Sequence, residues 1–178
     1  EGKNRLKYFF TLGKYEYEDF LHVKYYPSFY DTLSAFISQI VPIKYEVYVH
    51  HINNLFFSLL TIFGISKIAG RLFNKKVGKI VFLISFLNPI FFGHMSINPK
   101  DMIVAFANIW ATYLIIKYLK NQQINEKRNR YVILGGLAIG LGLGVRIVFL
   151  GTLVPIVAIA IIDILFLKKL TNEKFSNK

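Results

Sequence analysis

An apolar run, MIVAFANIWATYLIIKYL, begins at Met102, and directly ahead of it stand Asn98, Pro99, Lys100 and Asp101. Asn98 suits a helix N-cap and Pro99 the first helical position. Asp101 falls at the third position, where a carboxylate complements the helix dipole. Lys100 has no such role. Its charge opposes the dipole, so it invites an anionic partner, with Asp101 or a lipid phosphate as the plain alternatives. Arg146 stands alone in the middle of a long apolar stretch, YVILGGLAIGLGLGVRIVFLGTLVPIVAIAIIDILFL. A charge between two apolar halves marks a functional position by default. His94 lies four residues before Asn98, and His50 and His51 open another apolar run. Two or three histidines of unknown geometry make a weak metal site, and none is assigned. Asp31 follows the aromatic segment KYYPSFY, which carries Tyr25 and Tyr26. Cations to hold a phosphate, a carboxylate to act as base and aromatic faces to hold a sugar suit a lipid phosphate bearing a polar group.

These residues must be positioned by a membrane fold. The chain has 178 residues, of which 54% are hydrophobic and 18% charged, against about 25% charged in an ordinary soluble domain. The charges are clumped between apolar runs long enough for a bilayer core, which takes ~20 residues per helix. The expected fold class is therefore all-α: a polytopic transmembrane helical protein of about five spans, with an interfacial helix in an outer loop. Residues 1–51 form the outer loop, 52–167 the transmembrane domain and 168–178 a cytoplasmic basic tail. The net charge of +12 follows the linkers between spans, so nucleic acid is not expected as a partner. Absence of cysteine excludes disulfides and thiolate metal sites.

The interfacial helix is expected in SFYDTLSAFISQIV, where Phe29, Leu33, Phe36, Ile37 and Ile40 recur at helical spacing and Pro42 follows. The spans start with Ile52–Ala69, continue with IVFLISFLNPIFFGHM, kinked at Asn88 and Pro89, and then with the run after Asp101. The last apolar stretch crosses twice and turns at Arg146. Lysines and arginines crowd the linkers after the first and third spans, which places those linkers inside and residues 1–51 outside. The glycines Gly135, Gly136, Gly140, Gly142 and Gly144 suggest close helix packing.

In this order, KYYPSFYDTLSAFI, HHINNLFFSLLTIFGISKIAGRLFNKKVG, NPIFFGHMSINPKDMIVAFANIW and GLAIGLGLGVR resemble the N-terminal half of polyprenyl-phosphate-dependent glycosyltransferases of the GT-C fold. That group includes membrane mannosyl- and arabinosyl-type transferases and is similar to dolichyl-phosphate-mannose protein mannosyltransferases. The resemblance implies a hexosyl- or pentosyltransferase, inversion at the sugar carbon, and a bacterial inner (plasma) membrane location. Implied partners are the lipid bilayer, a polyprenyl-phosphate-linked sugar, and an acceptor protein or glycolipid. Catalytic candidates are Asp31 and Asp101, with the main base in an acidic pair expected upstream of Glu1. The segment alone is therefore expected to be inactive. Candidates for substrate binding are Lys100, Arg146, His94, Asn98, Tyr25 and Tyr26. The cofactor is open, a divalent cation being one option. A transporter, or a non-catalytic lipid-binding membrane subunit, is the alternative function.

Overall fold

The computed structural model describes residues 2–15, 27–121 and 124–167. Tyr25, Tyr26 and the basic tail lie outside the described residues. Among those described, every regular element is a helix: α1 (Gly2–Phe10), α2 (Phe29–Ser38), α3 (Glu46–Leu72), α4 (Lys75–Leu87), α5 (Pro89–Ile97), α6 (Pro99–Lys120), α7 (Asn125–Leu143) and α8 (Phe149–Ile162). A 3-10 turn, Ile43–Tyr45, leads into α3, and a π-helical turn, Asp163–Leu167, follows α8. The protein is an all-α membrane protein.

Among the described residues, three helical segments are long and apolar enough to cross a membrane: Ile43–Leu72, Pro99–Lys120 and Phe149–Phe166. The pair α4 and α5 makes a fourth if it acts as one span, bent by 62° at its break. The break falls at Asn88 and Pro89, as the sequence suggests. Pro89 lacks the N–H that would continue α4, and the Asn88 side chain accepts from the Phe91 N–H at 3.0 Å to start α5. Helix α7 falls short of a span because its first turns carry Glu126, Lys127, Arg128 and Arg130.

Helix α3 is the centre, packed against α4, α5 and α6, while α7 packs along α6. Polar side chains lock these contacts. Trp110 Nε1 donates across to the Leu60 carbonyl at 3.1 Å, and Ser66 donates to the Gly78 carbonyl at 2.8 Å. Asn54, buried in α3, donates to the His94 and Met95 carbonyls at 3.2 and 2.6 Å. The His94 carbonyl also takes the Asn98 N–H at 3.1 Å, whereas the Met95 carbonyl, four residues before Pro99, has no helical donor left to it. Ser58 and Thr61 turn their hydroxyls back to carbonyls four residues earlier, so α3 buries them without orphaned donors.

Two apolar clusters fill the interior. Ala107, Ala111, Leu114, Ala138, Phe149 and Leu153 join α6, α7 and α8. Tyr30, Phe57, Ile103 and Val145 form the second, bringing α2, α3, α6 and the α7–α8 turn together. The expected glycine packing is confined to part of the stripe. A Cβ on Gly142 would lie 2.7 Å from the Phe149 ring, whereas Gly136 and Gly140 have nothing within 4 Å.

Helix α1 is not anticipated by the sequence pattern. It packs on α2, where Gly2 passes so close to the Asp31 carbonyl that a Cβ would overlap it. Lys3 of α1 pairs with Glu46 at 2.8 Å. Helix α2 turns Tyr30, Ser34 and Ala35 inward and leaves Phe29 and Phe36 exposed, as is Ile40 just past its end.

Candidate active site

Helix reversals gather three chain segments at one end of the bundle. The α5–α6 corner supplies Asn98, Lys100 and Asp101, the α7–α8 turn supplies Arg146, and α2 supplies Asp31. At the corner, Asn98 caps α6 through its side-chain oxygen, which lies 3.4 Å from the Asp101 N–H. Pro99 takes the first helical turn, where its missing N–H costs nothing. At the second junction, Gly144 accepts from Phe29 N–H at 2.8 Å, which seats the start of α2 on the α7–α8 turn. Arg146 is held in that turn by its own N–H, donated to the Gly142 carbonyl at 3.0 Å.

The charges pair crosswise. Arg146 Nη1 lies 2.7 Å from Asp101 Oδ1, and Lys100 Nζ lies 3.3 Å from Asp31 Oδ2. The plain expectation of a Lys100–Asp101 pair does not occur among the described contacts. Neighbouring residues on a helix point about 100° apart and do not face each other. Each therefore meets a partner on another element.

The two carboxylates differ in environment. Asp101 has both oxygens engaged, Oδ1 by Arg146 and Oδ2 by Asn98 Nδ2 at 2.5 Å. Asp31 Oδ2 is buried and, among the described residues, has only the ion-pair approach of Lys100, which is off the direction of a hydrogen bond. Arg146 also carries a buried donor without an acceptor among the described residues, its Nε. Such groups are uncommon in native interiors and call for a partner.

His94 is exposed in the last turn of α5, and its Nδ1 lies 3.2 Å from Asn98 Nδ2. It joins the site through Asn98 and contacts neither ion pair directly in the described bonds. His50 and His51 act structurally. His51 Nδ1 is 3.0 Å from the Ser96 carbonyl oxygen. His50 receives Tyr30, whose hydroxyl donates to its carbonyl at 3.0 Å and lies 3.2 Å from its Nδ1. Burial pushes the Tyr30 phenol above its ordinary value. The adjacent Asp31 charge adds to the rise, while a hydrogen bond with Ser34 opposes it. Among the described residues no group of three or more His, Asp and Glu converges to hold a metal.

Two members of this assembly escape a reading of the sequence. Tyr30, directly beside Asp31, is the buried foot of α2. Asn54 pins the α5–α6 corner from below. The available signal for Asn54 was an amide inside the apolar run INNLFFSLL, where a polar group needs a partner.

No curated protein and no solved structure matches the chain. A family profile does, over residues 34–176, and its description is dolichyl-phosphate-mannose-protein mannosyltransferase. The matched region contains Lys100, Asp101 and Arg146 together with all the helices from α3 onward, and Asp31 stands just ahead of it. The chain belongs to the dolichyl-phosphate-mannose-protein mannosyltransferase family, membrane glycosyltransferases of the GT-C type.

Proposed function

We propose that the charged end of the bundle holds the phosphate of a polyprenyl-phosphate-linked sugar on the outer face of the membrane, for transfer of the sugar to an acceptor hydroxyl. The observation that carries this reading is the Lys100 and Arg146 pair of cations, brought from separate elements, with a buried Arg146 Nε that has no acceptor among the described residues. A phosphate is a multidentate acceptor that suits a guanidinium fork and an ammonium together.

In this reading the acceptor oxygen attacks the anomeric carbon while the bond from that carbon to the phosphate oxygen breaks. The configuration inverts, and the lipid phosphate leaves with the bonding electrons. Lys100 and Arg146 stabilise the charge that grows on it. The acceptor proton passes to a carboxylate. Asp31 is the described carboxylate best placed to assist, because Asp101 has both oxygens committed to orienting Arg146 and Asn98.

The bacterial inner membrane is the proposed location, with the basic linkers inside. A carrier would need polar groups near mid-bilayer, whereas these ion pairs gather at helix ends. The test is lipid-linked sugar transfer by the full-length protein carrying Lys100→Ala or Arg146→Ala. Both variants are expected to lose transfer at unchanged membrane level, and normal transfer by both would sink the assignment.

A further inference from the structure

At the opposite end of the bundle a second cluster of charge forms, this time of one sign. Lys67 and Arg71 close α3, Lys117 and Lys120 close α6, and Lys127 opens α7. Arg71, Lys127, Lys120 and Lys67 all act electrostatically on the Lys117 ammonium. Lys117 is half-buried between helices, with its ammonium 5.7 Å from the Tyr113 ring centre and 5.9 Å from that of Tyr131. Lys67 stands 4.9 Å from the Phe63 ring centre. Among the described residues no carboxylate pairs with Lys67, Lys117 or Lys127.

Two ordinary explanations cover only part of this. Cations in the last turn complement the negative end of a helix dipole, which accounts for Arg71, Lys117 and Lys120. Lys127 sits in the first turn of α7, where the dipole repels it. Topology explains basic linkers but not the convergence of three helices on one ammonium sunk between two tyrosines. The cations that converge on the Lys117 ammonium repel it, and an anion beside it relieves that repulsion.

We propose that the end formed by α3, α6 and α7 is a binding site for the phosphodiester headgroup of an anionic glycerophospholipid. Lys117 and Lys127 contact the phosphate, and Tyr113 and Tyr131 line its seat. Basic pockets between membrane helices on the cytoplasmic side hold such headgroups, and the apolar flanks of α6 and α7 give the acyl chains a surface. The site lies across the bundle from Lys100 and Arg146, and its existence is independent of the transfer reaction.

The test is native mass spectrometry of the full-length protein in non-ionic detergent, titrated with dioleoyl-phosphatidylglycerol or dioleoyl-phosphatidylcholine. Wild-type protein is expected to retain the anionic lipid in preference to the zwitterionic one. Lys117→Gln with Lys127→Gln is expected to weaken that retention roughly tenfold or more, two surface charges being removed, while Lys117→Arg with Lys127→Arg retains it. Lys75→Gln with Lys76→Gln, at the same end on α4, is expected to leave it unchanged. Equal retention of the two lipids by wild type overturns the proposal whether or not the variants fold. Equal loss in the α4 variant overturns it in favour of diffuse charge. Displacement of the lipid by inorganic phosphate overturns the lipid as the occupant.

Discussion

Phe29 donates its backbone N–H to the Gly144 carbonyl at 2.8 Å. Two residues beyond Phe29 is Asp31, and two residues beyond Gly144 is Arg146. One backbone bond thus sets the spacing between a carboxylate of one ion pair and the cation of the other. Phe29 is the first residue of α2, a position where proline suits the helix. Phe29→Pro removes the donor and also presses Ser28 away from its ψ of 33° toward extended values. It is expected to cost about 0.5–1.5 kcal/mol of stability and to lower sugar transfer well beyond the Phe29→Ala control. Equal activity of the two variants would show that the bond does not position the site.

The Arg146–Asp101 pair separates stability from function. Both side chains are 40% or more exposed, and ion pairs at that exposure contribute about 0–1 kcal/mol. Arg146→Ala is expected to leave the unfolding midpoint in detergent nearly unchanged. Transfer should fall on the order of a hundredfold or more, as when a charge-stabilising donor is removed. A variant that lost stability and activity together would make Arg146 a structural residue.

Tyr30 gives the fold a limit at alkaline pH. Its folded-state pKa is raised above the ordinary 10.0 by burial. The folded state holds the phenol proton more tightly than the unfolded chain does. That stabilisation is complete below about pH 10 and is lost as pH rises through the folded value. Tyr30→Phe is expected to cost about 0.5–1.5 kcal/mol near neutral pH, by loss of the hydroxyl bond to His50. Unfolding measured from pH 8 upward should also show a shallower alkaline decline in the variant. A decline as steep as in wild type would remove Tyr30 as its source.

The glycines of α7 separate by position. Gly142→Ala pushes a methyl into the Phe149 ring, which is fully buried, at about 1–3 kcal/mol. Gly136→Ala has open space and is expected to be neutral or stabilising by up to about 1 kcal/mol. Denaturation in mixed detergent micelles ranks them. Equal behaviour would refute close packing at Gly142.

Trp110 is the chain's one tryptophan, so its fluorescence reports the α3–α6 seam. Gly64 lies beneath it, and a Cβ there would come 2.6 Å from Ile109 Cγ2 and 3.3 Å from Trp110 Nε1. Gly64→Val is expected to shift Trp110 emission and lower stability. An unchanged spectrum would mean that the seam accommodates the side chain.

Much of the layout is legible in the sequence. Long apolar runs, the Asn98–Pro99 helix start, the break at Asn88–Pro89 and the turn at Arg146 all follow from local chemistry. The pairing is not legible. Lys100 and Asp101 are adjacent in sequence, yet helical geometry points them apart, and their partners come from Asp31 and Arg146, far along the chain. Helix α1 is hidden because its residues show no long apolar run, and its stability comes from contact with α2. Asn54 is hidden because its acceptors are carbonyls, which every residue has.

The bend between α4 and α5 bears on membrane thickness. At 1.5 Å per residue, 13 and 9 residues give about 20 and 14 Å. Joined at 62°, they extend about 28 Å end to end whatever their tilt, while the 22 residues of α6 reach about 33 Å. An ordinary hydrocarbon layer is ~30 Å thick. If the pair acts as one span, a bilayer matched to α6 is thicker than the pair is long, and lipid alongside α5 would thin. Such a notch would lie beside the start of α6, and under the proposed function it would let a phosphate still attached to its chain meet Lys100 sideways, without being lifted clear of the lipid.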